Sequence, residues 1–128
     1  MQVKTYLILS VAIVILLCGS LLALLWLDNS AEKLTAQINP LKLAMIENNW
    51  QAADGLIVQI NDDWQKLGKY WPVFVTHSDI AAIEESLRRL NYFIAVRSAI
   101  GAGEALRIYE FRVLSVPDSE RITWGNIF

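Results

Sequence analysis

Between Tyr6 and Leu27 the chain reads YLILSVAIVILLCGSLLALLWL, without one charged residue. At a helical rise of 1.5 Å per residue, such a run covers the ~30 Å hydrocarbon core of a bilayer. Lipid offers the backbone no hydrogen-bond partners, so a lone spanning segment has to be a helix. Tyr6 and Trp26 stand near its two ends, the depth at which amphipathic rings settle. The sequence therefore predicts a cytoplasmic tail over 1–5, a transmembrane anchor over 6–27 and an extracytoplasmic domain over 28–128. A cleaved signal peptide fits less well, because its apolar core is usually ~7–15 residues. Cys18-Gly19-Ser20, the nearest small-residue site, is followed by the apolar stretch Leu21 to Leu27. A lipoprotein signal wants a small residue before its cysteine, and Leu17 stands there.

The anchor holds most of the chain's hydrophobic excess, and the remainder of the chain is mildly acidic. Of 11 Lys and Arg only Lys4 precedes the run, leaving 10 against 13 Asp and Glu, a net of −3. That balance argues against nucleic acid, which asks for a basic face, and against a polybasic lipid-surface binder. Lys33 and Lys42 come soon after the run, so the basic bias across the membrane is weak. A cytoplasmic N-terminus in the cell membrane is favoured by Asp28 and the short start, and long domains translocate largely regardless of charge. The single cysteine, Cys18, lies inside the anchor and leaves no intrachain disulfide or cysteine-based metal site.

Beyond the anchor the apolar residues recur at helical spacing. Trp50, Ala53, Ile57, Ile60, Trp64, Leu67 and Trp71 alternate steps of three and four, the seam of helices packing at a shallow angle. Ile80, Ile83, Leu87, Leu90 and Ile94 make a second seam, and Ala102, Leu106, Tyr109, Val113 and Val116 a third. Pro40, Pro72 and Pro117 fall where the pattern stops or turns. Thr76 or Ser78 can cap the second helix, with Asp79 in its first turn. Glu84–Arg88 and Glu85–Arg89 are spaced to pair on its outer face. Gly101 and Gly103 are expected to break the chain before the third seam. The fold class expected is all-α: one transmembrane helix followed by a small antiparallel three-helix, or four-helix, bundle. Its helices would run roughly over 29–39, 41–71, 78–99 and 102–116. The tail PDSERITWGNIF is expected to stop at Pro117 and pack back on the bundle.

Three features invite sharper readings. Trp64 and Trp71, with His77 just beyond Pro72, could form an aromatic site for a small ligand, although their register with aliphatics marks them as core. His77 is the only histidine, with Asp79, Glu84 and Glu85 nearby. A zinc site needs three or four ligands at fixed spacing, and no nucleophile motif accompanies it. No catalytic, cofactor-binding or metal residue is therefore assigned. Trp124, with Ile127 and Phe128, lies off any seam and is a candidate partner contact, since tryptophan often anchors interfaces.

NNWQAA at 48–53, DDWQKLGKYW at 62–71, HSDIAAIEESLRRL at 77–90 and the closing NIF, together with the short anchor, resemble a bacterial family catalogued as domain of unknown function 4363. The resemblance implies a membrane-anchored helical protein with a small multispanning membrane protein as partner, and it assigns no residue a role. The function expected is a non-enzymatic interaction or structural protein, held by the bilayer through Tyr6 to Leu27 and binding another envelope membrane protein. With only five residues before Tyr6, any signal would pass through that partner. The alternative is a ligand-binding or sensor module with an aromatic-lined groove near Trp64, Trp71 and His77.

Overall fold

An uncharged apolar run has no physical reason to stop being helical where charged residues begin, and here it does not. The computed structural model describes the backbone of residues 2–127 and the side chains of 2–117. Helix α1 runs unbroken over Gln2–Thr35. Asp28, Asn29 and Ser30, residue types that can cap a helix start, lie inside it. Ser30 Oγ donates to the Leu27 carbonyl at 3.0 Å, so its hydroxyl is satisfied without leaving the helix. No described residue before Leu27 is buried, whereas Leu27, Ser30, Ala31 and Leu34 are. One helix is thus an uncovered apolar rod for most of its length and a core element for its last turns. It is long and apolar enough to cross a membrane.

After a turn at Ala36 and Gln37 comes α2 (Ile38–Ile46), with Pro40 in its first turn, where no backbone rung is lost. The helix expected over 41–71 is divided by two asparagines. Asn48 takes φ 55°, and the N–H groups of Asn48 and Asn49 return to the carbonyls of Met45 and Ala44 at 3.2 and 2.8 Å. This is a left-handed C-terminal cap. The Asn49 side chain then accepts from the Ala52 N–H at 3.2 Å and opens α3 (Trp50–Leu67). Helix α3 stops short of Trp71 because the chain tightens at Gly68, where a Cβ would run into the Trp64 ring and carbonyl. A short 3₁₀ turn, Trp71–Val73, makes the corner.

Thr76 opens α4 (His77–Ala95), its hydroxyl accepting from the Asp79 N–H at 3.3 Å and donating to the Asp79 carboxylate at 2.9 Å. Arg97, at φ 60°, closes it, and α5 (Ala99–Ile127) comes at once. Gly101 and Gly103 do not break the helix. Gly101 lies under the Phe93 ring, which leaves no room for a Cβ, so it serves the close approach of α4 and α5. Nor does Pro117 stop the chain: α5 continues through it, since an interior proline costs one rung and need not end a helix that packing supports.

All three seams face one core. The α4 and α5 seams are buried throughout, and in α3 Ala53, Ile57 and Ile60 are buried while Trp50, Trp64 and Leu67 pack half-buried against them. Contacts fix the directions. Asn61 and Asn91 exchange amide hydrogen bonds at 2.7 and 3.1 Å, and Arg97 grips Asp54, so α3 and α4 are antiparallel. Trp71 Nε1 donates to Ser30 Oγ at 3.1 Å, and Tyr109 Oη donates to the Leu34 carbonyl at 3.0 Å. The last turns of α1 therefore supply the fourth helix of an antiparallel bundle with α3, α4 and α5, while α2 packs on α3 and α5. No strand occurs among the described residues. Outside the core, Glu85 pairs with Arg88 at 2.6 Å where i, i+4 pairs are expected from the sequence. Exposed pairs are worth ~0–1 kcal/mol, so exchanging partners costs little.

The Tyr109 hydroxyl completes one of the four carbonyls that a helix end leaves unpaired. Burial, with the Asp63 carboxylate nearby, pushes its pKa well above the ordinary value near 10. The folded chain holds this proton where the unfolded chain would lose it. The associated stability is full below pH ~10 and falls as pH rises beyond it, by about 1.4 kcal/mol per unit. Urea unfolding in mild detergent should show that slope. Tyr109→Phe should abolish it while costing ~1–3 kcal/mol at neutral pH for the unpaired carbonyl.

Candidate functional site

Aromatic rings gather where α1 enters the bundle. The Trp26 ring meets Tyr70 edge-on at 6.3 Å and Phe74 at 5.7 Å, an arrangement that suits the ring quadrupoles. Pro72 and the 3₁₀ turn aim these rings by forcing the chain round between α3 and α4. Trp26, Leu67, Tyr70 and Phe74 line a shallow groove, and Phe74 also closes a longer one against Ala23, Leu24 and Leu27 of α1. Lys69 Nζ lies 5.1 Å from the Tyr70 ring centre. Tyr70 is 52 %, Val73 77 % and Phe74 39 % exposed, so the corner presents apolar surface that nothing among the described residues covers.

The opposite end of the bundle is organised by charge. Arg97 makes a two-pronged contact with Asp54, at 2.6 and 2.9 Å, and lies over the Trp50 ring at 5.7 Å. The hydrogen bond to Arg97 holds the Asp54 carboxyl below its usual range, and the same bond raises the guanidinium. This clamp sets the start of α3 beside the end of α4. Around it Ile46, Val96 and Ile100 are exposed, Ile100 at 89 %. Nearer the middle, burial and the adjacent Asp62 raise the Asp63 carboxyl.

The residues singled out in the sequence fall in different places. Trp71 is wholly enclosed, with its indole N–H bonded to Ser30, and Trp64 packs edge-on against it at 5.8 Å. His77 stands exposed as the first residue of α4. A groove at this corner is lined by Trp26, Leu67, Tyr70 and Phe74, while Trp71 turns inward to reach Ser30. Among the described residues no group of three or more His, Cys, Asp and Glu is arranged to hold a metal. The Trp124 and Ile127 side chains, and Phe128 altogether, lie outside the described residues. Arg97 and Ser30 carry no local sequence signal, since their partners are 43 and 41 residues away.

A family model described as "Domain of unknown function (DUF4363)" matches residues 22–127. No curated protein and no solved structure matches the chain.

Proposed function

The chain belongs to the DUF4363 family, and we propose that it is a non-enzymatic, membrane-anchored interaction protein that binds another envelope membrane protein. Its bundle stands outside the cytoplasmic membrane and its N-terminus inside. The observation that carries this reading is the continuity of α1, whose uncharged run leads without a break into the buried Leu27, Ala31 and Leu34. A flexible tether would let the domain swing. A shared helix instead fixes the height of the bundle and its orientation relative to the span, as a scaffold that presents a surface to a membrane neighbour requires. The exposed Ile46, Val96 and Ile100 at the end far from Trp26 supply an apolar contact for such a partner, flanked by the Arg97–Asp54 clamp.

The test is affinity capture from detergent-solubilised native membranes, with wild type beside Ile46→Glu/Ile100→Glu and a variant ending at Thr123. One multispanning protein recovered with wild type, and lost or at least tenfold depleted with one variant, is the expected result. Empty capture from folded, anchored wild type would contradict it.

A further inference from the structure

We propose that the α3–α4 corner, Tyr70 to Phe74, is a second membrane contact that lies in the bilayer interface beside the outer end of α1. The inference rests on the reading of Tyr6 to Leu27 as a membrane span and adds to it a surface that sequence periodicity does not mark.

Three observations converge. The corner's depth is fixed by Trp26, the last aromatic residue of the uncharged run, whose ring touches both Tyr70 and Phe74. Its surface is continuous with that of the span, because Phe74 shares a groove with Ala23, Leu24 and Leu27. Its chemistry is that of the interface: two aromatic rings and Val73 at 77 % exposure, with the Lys69 ammonium over the Tyr70 ring. Aromatic rings prefer the boundary between headgroups and acyl chains, and a lysine stem lies along apolar surface while its charge reaches water or phosphate. Pro72 in the 3₁₀ turn keeps the corner stiff, so little ordering is lost on contact. A second contact beside the helix axis restricts tilt and rotation of the bundle, which one spanning helix alone leaves free.

A polarity-sensitive fluorophore on single cysteines tests this in full-length Cys18→Ser protein in phosphatidylcholine vesicles. The vesicles carry spin-labelled lipid with the quencher either near the headgroup or deep in the acyl chain. Val73→Cys probes the corner, Leu16→Cys the span and Ile100→Cys the far end, and circular dichroism checks folding of each. The expected result is blue-shifted emission at 73 with stronger quenching by the shallow lipid label, deep quenching at 16, and aqueous, unquenched emission at 100. Deep quenching at 16 with aqueous emission at 73 would overturn the corner contact and leave the anchor standing. A blue shift at 73 without lipid quenching would mean that protein covers the corner, and would overturn it as well. No quenching at 16 would remove the anchor and this inference together.

Discussion

Trp71→Ala is expected to lower the stability of the bundle by ~3–5 kcal/mol, the usual loss for truncating an enclosed tryptophan. Whole domains hold only ~5–15 kcal/mol, so the variant should melt at a much lower temperature or fail to fold. Two features place this site at the high end. Its ring packs against Trp64, a contact worth ~0.5–1.5 kcal/mol beyond area alone. Its N–H reaches across 41 positions to Ser30, so one side chain ties the corner to α1. Trp71→Phe should cost less, because it retains most of the apolar surface, and Ser30 keeps its bond to the Leu27 carbonyl. Thermal melts of the two variants in the same detergent would rank them. Equal, small shifts would mean that Trp71 does not tie the corner to α1.

What the sequence makes legible is the set of faces. The three-four seams name buried residues of α4 and α5 without error, because an alternation sustained over several turns reflects a single apolar stripe facing the core. Breaks are harder to read. The pair Asn48-Asn49 ends one helix and caps the next, yet both residues also suit an exposed helical surface, and only the positive φ at Asn48 distinguishes the cases. Gly101 misleads because glycine serves both breaks and close packing, and the Phe93 ring that decides between them belongs to another helix. Periodicity assigns Trp71 to the core but does not reveal that Tyr70 and Phe74 turn toward Trp26. The same limit applies to Ser30, a polar residue whose partner is distant in sequence.

The second large effect concerns α1 itself. Removing its last turns takes Leu27, Ala31 and Leu34 from the core, and each enclosed leucine carries ~2–5 kcal/mol against truncation. It also deprives the Trp71 N–H and the Tyr109 hydroxyl of their acceptors, at ~1–3 kcal/mol for each group left buried and unpaired. Together these terms match the stability of an entire small domain. The family match, which begins at residue 22, includes these turns. The most direct test of the shared helix compares two fragments, 26–128 and 36–128, by circular dichroism and thermal melting in the same mild detergent. A shared helix predicts a cooperative melt for 26–128 and a loosely helical, non-cooperative state for 36–128. If 36–128 melts cooperatively at the same temperature, the apolar run and the bundle are separate units, and the rigid scaffold is wrong.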